Sequence, residues 1–319
     1  MRLPIWGRGT MLPGMSASPT GSLFTFLELV QREVPSGFQP TERWKVVKHQ
    51  DRREGAPDLA SLFLFSREAF EFYQADQSKP VFNCDGIFSF VGLPDRRALF
   101  VGAWTVQGAP EEVDAPRLEE VPSELHALYE PLLAAEPDKR HLRYKLERDA
   151  RFDRLAMRVV IDWGAGDRSW HQWDLEKAVH EVRPPGAMEP CPALADIDVS
   201  LRKLQHLARN EAANSSWRDR LSALGGIYLL TNQRNGKLYV GQAGGEEGFW
   251  GRWKEYAGLK SGNVAVDPAL ASGELDPDQT SFSVLDEVPL GGDKAQLDAL
   301  ENRWKRRLCS RGEGGYNKN

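Results

Sequence analysis

The sequence predicts an α+β protein in which a strand-rich N-terminal α+β domain precedes a small α/β domain, built on a three-stranded antiparallel sheet flanked by helices. Three observations lead to this prediction. Short apolar runs with an alternating pattern dominate residues 23–183, which is typical of strands. Prolines crowd residues 184–199, as in a linker. Residues 225–319 hold two apolar runs around an Asn-Gly pair, followed by two helical patterns.

Length and composition set the broad class. The 319 residues suffice for two domains, and 41% hydrophobic with 27% charged residues is ordinary for a globular chain. No apolar run is long enough to span a bilayer. The three scattered cysteines fit a reducing compartment and exclude a cysteine-based zinc site. We therefore expect a cytoplasmic protein with no membrane partner and no small-molecule cofactor.

The chain divides into five predicted segments. Residues 1–22 are rich in Gly, Pro, Ser and Thr and are predicted to be disordered. Residues 23–183 form the α+β domain, residues 184–199 the proline-rich linker, and residues 200–224 helices that brace the C-terminal domain at 225–319. In the first domain the apolar patterns predict strands at 23–30, 44–48, 141–147 and 155–163, a hairpin joining 87–93 to 98–106, and helices after Ser66 and at 123–135.

The C-terminal domain begins with a predicted β-hairpin. Asn235-Gly236 lies between the runs 226–230 and 238–241, and this pair accepts the positive φ of a tight turn. Because side chains alternate along a strand, Tyr228 and Tyr239 are expected on one face. Residues 282–285 are predicted to be the third strand.

Two helices are predicted after the hairpin. The first begins near Gly248 and places Arg252 and Tyr256 four residues apart on one face. The second runs from about residue 293 to residue 308 and presents an apolar stripe. Glu301 lies inside that stripe, where a carboxylate is costly to desolvate unless a positive charge meets it. A divalent cation would meet that need.

These motifs resemble the GIY-YIG nuclease family. Gly226-Ile227-Tyr228 and Tyr239-Val240-Gly241 are similar to the two halves of its signature, with Val240 at the place of the usual isoleucine. In this family a helix arginine, a His or Tyr one turn later, a metal-binding glutamate and a late asparagine follow the hairpin. Those places are filled in order by Arg252, Tyr256, Glu301 and Asn317, so the resemblance covers residues 225–319.

The resemblance implies a metal-dependent DNA endonuclease that hydrolyses phosphodiester bonds. Tyr228 would take the proton from water, its phenol made more acidic than the usual pKa of about 10 by cationic neighbours. Arg252 would hold the scissile phosphate, and Glu301 would bind one Mg²⁺, with Mn²⁺ able to replace it. Tyr239 and Tyr256 would orient water or phosphate. Asn317 would tie the C-terminal segment across the site.

Two stretches are expected to contact DNA, although the total charge is −5. The first is the basic end of the last helix, with Lys305, Arg306, Arg307 and Arg311; its alternative is a solvated helix face. The second is the aromatic stretch 162–173, where Trp163, Arg168, Trp170 and Trp173 could receive an unstacked base. The alternative is that these aromatic side chains fill the core of a sheet, with Arg168 paired to a surface acid.

The accessory domain bears on the kind of nuclease. A folded, aromatic-rich domain ahead of a nuclease favours a restriction enzyme of phage defence, whose first domain selects a sequence or a modified base. Cutting both strands would need a homodimer or two encounters. Two alternatives stay open: a structure-selective DNA repair nuclease, and a catalytically silent DNA-binding or interaction protein. The intact Tyr228, Arg252 and Glu301 speak against the silent protein.

Overall fold

The computed structural model describes residues 24–34, 38, 43–165, 169–264 and 266–318. The segment predicted to be disordered, 1–22, and Arg168 lie outside these residues. The described residues form a mixed α+β protein with three sheets of seven, four and three strands.

The N-terminal part contains four α-helices and ten strands among the described residues. The helices are α1 Phe26–Glu33, α2 Leu59–Phe65, α3 Arg67–Ala75 and α4 His126–Ala135. The strands are β1 Trp44–His49, β2 Asp76–Gln77, β3 Gly86–Gly92, β4 Arg97–Val106, β5 Glu111–Val113, β6 His141–Arg143, β7 Leu146–Arg148, β8 Val159–Asp162, β9 His171–Gln172 and β10 Val179–Val182.

A seven-stranded mixed sheet organises this part. Its strands follow the order β10-β8-β4-β3-β1-β9, and β7 also pairs with β4. β1 is parallel to β3, while β3 and β4 form the predicted antiparallel hairpin, which is confirmed. Ile87 and Phe88 alternate along β3 and belong to different cores. The sheet is therefore covered by apolar side chains on both faces.

The prediction of a strand at residues 23–30 is wrong for residues 26–30, because these belong to helix α1, while residue 23 lies outside the described residues. Thr25 caps this helix: its hydroxyl accepts from the Glu28 N–H at 3.3 Å, and its own N–H donates to the Glu28 carboxylate at 2.7 Å. Phe26 and Val30, four residues apart, are both fully buried. The capping box satisfies two backbone donors and favours a helix over an extended run.

Two other predicted strands are shorter than expected, and one predicted helix begins with a 3₁₀ turn. The strand at 141–147 is two strands, β6 and β7, and the strand at 155–163 is reduced to β8. The helix at 123–135 begins with a 3₁₀ turn, Ser123–Leu125, and continues as α4 with Pro131 inside it. The helix predicted after Ser66 is confirmed as α3.

The C-terminal part contains β11 Asp198–Ser200, α5 Leu201–Arg209, α6 Ser215–Ser222, β12 Leu224–Asn232, β13 Leu238–Ala243, α7 Gly248–Ala257, α8 Val266–Ala271, β14 Thr280–Pro289 and α9 Lys294–Arg307. Its sheet has four strands in the order β11-β14-β12-β13, so the prediction of three strands needs correction. The extra strand, β11, comes from the predicted linker. It pairs antiparallel with β14.

The two faces of this sheet carry different helices. Tyr228 and Tyr239 lie on the face that forms one core with α5, α6 and α7. Ile227 and Val240 point to the other face, where Leu297 of α9 packs on them. The helices predicted to brace the domain thus share the core of the tyrosine face, and α9 lies behind the sheet. Across the described ranges, every helix is too short or too polar to cross a bilayer.

Candidate active site

Glycines make room for the tyrosines of the hairpin. Gly241 is the register partner of Tyr228. A Cβ atom at Gly241 would lie 2.3 Å from the Tyr228 hydroxyl oxygen and 2.7 Å from Cε1 of Tyr239. Gly226 has a φ of +149°, and a Cβ there would lie 1.9 Å from the carbonyl oxygen of Asp286. Both positions therefore exclude any side chain larger than hydrogen.

Three tyrosines, Tyr228, Tyr239 and Tyr256, lie around Arg252 on one face of the hairpin. The hydroxyls of Tyr228 and Tyr256 lie 2.8 Å apart. Arg252 donates from Nε to the Tyr228 hydroxyl at 3.2 Å and from Nη2 to the Tyr256 hydroxyl at 3.4 Å. The hydroxyl of Tyr239 accepts from Asn263 Nδ2 at 2.7 Å. The structure confirms that Tyr228 and Tyr239 share a face, as do Arg252 and Tyr256.

The phenols are less acidic than the sequence led us to expect. Burial raises the pKa of Tyr228 above its ordinary value, and the nearby Arg252 guanidinium only partly offsets this. Burial likewise raises the pKa of Tyr239 and of Tyr256. The expectation that cationic neighbours make Tyr228 more acidic is therefore wrong for this state of the protein, because the cost of burying a phenolate is larger than the attraction of Arg252.

An open cleft of about 660 Å³ lies beside these groups. Tyr239, Arg252 and Glu301 line it together with the loop between β13 and α7. The Arg252 side chain is 25% exposed and is held from behind by hydrogen bonds to the Ser261 carbonyl, at 2.6 Å, and to Glu255. Because β13 is the edge strand, Glu301 reaches the cleft from the opposite face of the sheet. Tyr228 is fully buried and touches the cleft only through Arg252 and its tyrosine neighbours.

Glu301 is paired with a lysine. Its carboxylate is 13% exposed and accepts an ion-pair contact from Lys305 Nζ at 3.2 Å, one helical turn later. Lys305 thus supplies the positive charge that the Glu301 carboxylate was expected to need within the apolar stripe. No group of three His, Cys, Asp or Glu side chains suited to a metal occurs in the described ranges. A single carboxylate beside a wide cleft nevertheless suits Mg²⁺, which keeps several waters and takes further oxygens from substrate phosphates.

The Lys305–Glu301 pair yields a stability prediction. In Lys305→Met the carboxylate loses its cation while still mostly buried, so the free energy of unfolding should fall by about 2 kcal/mol in metal-free buffer. Millimolar Mg²⁺ should restore more stability to the variant than to the parent, because the ion no longer competes with an ammonium group. Urea unfolding with EDTA or Mg²⁺ measures both effects. Lys294→Met, at the exposed start of α9, is the control and should change stability by less than about 0.5 kcal/mol.

Asn317 closes the edge of the sheet. Its side-chain oxygen accepts from the Val240 N–H at 2.9 Å, and its amide nitrogen donates to the Val240 carbonyl at 2.9 Å. Ser310 also donates to that oxygen at 2.7 Å. The Asn317 amide thus makes two hydrogen bonds to the outer edge of β13 that a neighbouring strand would otherwise make. It ties down the C-terminal segment as the family resemblance implies, but it does not line the cleft.

The residues predicted to contact DNA are found in different settings. Lys305 is buried against Glu301, whereas Arg306, Arg307 and Arg311 are exposed. In the aromatic stretch, Trp163 is 1% exposed inside a core, in line with the structural alternative. Trp173 is 49% exposed. Trp170 is half-buried and lines a cavity described below.

Sequence reasoning missed several groups that shape the site. Lys305 was expected at the surface, although its spacing of four residues from Glu301 is a readable signal for an ion pair. The spacing of Glu255 from Arg252 could have been read in the same way. Ser261 and Asn263 act through a loop that comes near the cleft only in the folded chain, so no local pattern points to them.

Comparisons with known proteins find limited similarity. No family model matches the chain, and no curated protein matches it. The catalytic domain of the homing endonuclease I-TevI is 28% identical, with 30% of this chain and 98% of that chain covered and a TM-score of 0.24. A mutant of the catalytic domain of the intron endonuclease I-TevI is 27% identical, with 30% and 94% covered and the same TM-score of 0.24.

Proposed function

We propose that this protein is a metal-dependent DNA endonuclease of the GIY-YIG type. One observation carries the proposal: a guanidinium, a phenol and a mostly buried carboxylate, from three separate elements, line the same open cleft. Phosphodiester hydrolysis needs a cation for the phosphate, a base for water and help for the departing oxygen. Arg252, the tyrosines and Glu301 match these needs.

The side chains divide the chemistry as follows. Arg252 binds the scissile phosphate with the exposed side of its guanidinium, while Ser261 and Glu255 hold the other side. Glu301 would hold Mg²⁺ once Lys305 gives way, and bound Mg²⁺ supplies Lewis-acid stabilisation of negative charge on oxygen. Tyr228, once deprotonated, accepts the proton of the attacking water, as the family resemblance implies, and its hydroxyl lies 3.2 Å from Arg252 Nε. Since Tyr228 is buried, the phosphate must draw Arg252 outward to uncover it.

The raised pKa of Tyr228 predicts the pH dependence. A base acts only when deprotonated, and a phenol whose pKa lies above the assay pH is mostly protonated, so the rate should rise as the pH rises. We expect the single-turnover cleavage rate to increase about tenfold per pH unit from roughly pH 6.5 to 8.5. Tyr228→Phe should lose this slope, whereas Tyr256→Phe should keep it at a lower rate. A parent rate that does not change with pH would contradict the assignment.

From the accessory N-terminal part of the chain we infer a restriction enzyme of phage defence. The support is a pair of apolar cores in residues 26–179, which the proposed nuclease site does not need. Digesting phage DNAs that differ in base modification tests this inference, since equal cutting of all of them would exclude selection by modification. A preference for branched or flapped DNA over plain duplex would instead identify a structure-selective repair nuclease.

A further inference from the structure

A second cavity lies in the N-terminal part, away from the proposed catalytic cleft. It has a volume of about 430 Å³, which is within the range of small-ligand sites. The end of β1, the end of α3, β2 and α4 surround it, and Trp170 closes one side. The proposed nuclease activity uses none of these residues.

Aromatic rings form part of the cavity wall. The His49 ring lies 5.8 Å from the Tyr73 ring and 6.4 Å from the Trp170 ring, measured between centroids. Burial lowers the pKa of His49 to about 4, so this ring is neutral near pH 7. Neutral rings along a cavity wall suit a planar heterocycle, which gains stacking energy whatever the identity of the base.

Two buried aspartates line the cavity, and they differ in how fully they are used. Asp51 accepts from the Arg53 backbone N–H, from two nitrogens of the Arg53 guanidinium and from the Tyr73 hydroxyl. A carboxylate has about four acceptor sites, so Asp51 is saturated. Its fixed partners leave it no capacity for a ligand.

Asp76 has capacity left. Its side chain is 3% exposed. It accepts from the Tyr129 hydroxyl at 3.0 Å and from His141 Nδ1, which lies 2.9 Å from each of its two oxygens, and it forms a long ion pair with Arg143 Nη2 at 3.9 Å. Three short contacts on about four acceptor sites leave about one site open. A buried carboxylate in this position favours a ligand that brings N–H donors.

We infer that this cavity binds an unpaired nucleobase with an exocyclic amino group, turned out of the DNA strand. Trp170 and Tyr73 would stack on the base, and Asp76 would accept from its amino group. Thymine is disfavoured because it has no exocyclic amino group and its one N3–H donor is flanked by carbonyl oxygens that the carboxylate would repel. The inference rests on the proposed function for its partner, DNA.

The charges around the cavity favour a base within DNA over a free nucleotide. Its lining contains three Lys or Arg side chains, Lys48, Arg53 and Lys139, against three acids, Asp51, Asp76 and Glu136. This balance offers no excess positive charge for a free phosphate group. In a DNA strand the phosphates stay outside the cavity, where other surfaces can bind them.

Binding experiments with the full chain in EDTA test the inference without any cleavage. Fluorescence anisotropy compares three pools of duplexes with randomised flanks and one abasic site each. Opposite that site the pools carry an unpaired cytosine, an unpaired thymine or a second abasic site; the last is the abasic pool. We expect the cytosine pool to bind about tenfold more tightly than the other two. Asp76→Asn should remove the preference for cytosine over thymine, whereas Asp51→Asn, at the saturated carboxylate, should keep it.

The tryptophans supply a second matched pair. Trp170→Ala should weaken binding of the cytosine pool about tenfold and leave the abasic pool unchanged. Trp173→Ala, which removes an exposed ring outside the cavity wall, should affect all three pools equally. Equal affinity of the parent protein for all three pools would overturn the inference, as would free dCMP binding as tightly as the cytosine pool. A protein that prefers cytosine but never cuts DNA would remove the proposed function and retain this site.

Discussion

Replacing Glu301 by glutamine is expected to lower the rate of DNA cleavage in Mg²⁺ by about 100-fold or more. The amide keeps the size of the side chain but lacks the charge that would hold the ion at the cleft. DNA affinity measured in EDTA should stay within about twofold of the parent value, because the change adds no negative charge that would repel phosphate. Single-turnover cleavage and anisotropy separate the two quantities.

Asp298→Asn is the matched control for this change. Asp298 lies one turn earlier on α9 and accepts from Gln242 Nε2 at 2.9 Å, but it does not line the cleft. This variant should cut within about threefold of the parent rate. Equal losses in the two variants would show that α9 contributes through its packing alone, and Glu301 would lose its assigned part in the chemistry.

Gly241→Ala should have the second largest effect, through geometry. The added Cβ would lie 2.3 Å from the Tyr228 hydroxyl oxygen and 2.4 Å from Cζ of the same ring, so the ring must move. Since Arg252 and Tyr256 both bond to that hydroxyl, the whole cluster is displaced. We expect about a 100-fold loss of cleavage and a fall of about 1–3 kcal/mol in the free energy of unfolding.

Gly258→Ala is the control for replacing a glycine by alanine, since Gly258 lies at the end of α7, the helix that carries Arg252 and Tyr256. A Cβ at Gly258 would meet its nearest atom, the Glu255 carbonyl oxygen, at 3.5 Å, an ordinary contact. Its stability and cleavage rate should stay close to those of the parent. Full activity in Gly241→Ala would mean that the close packing of Tyr228 is not needed for cleavage.

Local signals were enough to predict much of the catalytic region. The turn at Asn235-Gly236 and strict alternation in two short runs predicted the hairpin and its shared tyrosine face, which the structure confirms. Asp293 caps α9 through the Ala295 N–H at 2.9 Å, as the start of the helical pattern indicated. These features depend on neighbours within a few residues.

Other features depend on contacts that a linear pattern does not contain. β11 becomes a strand because it pairs with β14, about 80 residues later. Tyr228 is fully buried by elements that lie far from it in the sequence, and this burial outweighs the nearby Arg252 and reverses the expected direction of its pKa. At the N-terminal end, residues 23–30 carry an apolar pattern that fits either state, and the Thr25 cap decides in favour of a helix.

The most direct test of the central claim is the cutting of supercoiled plasmid and phage DNA by the full-length protein, with Arg252→Ala alongside it. We predict nicked or linear product in Mg²⁺, none in EDTA, and a rate at least about 100-fold lower for Arg252→Ala. Cleavage by Arg252→Ala at the parent rate, or by the parent in EDTA, would contradict the assignment of this cleft as the site of phosphodiester hydrolysis.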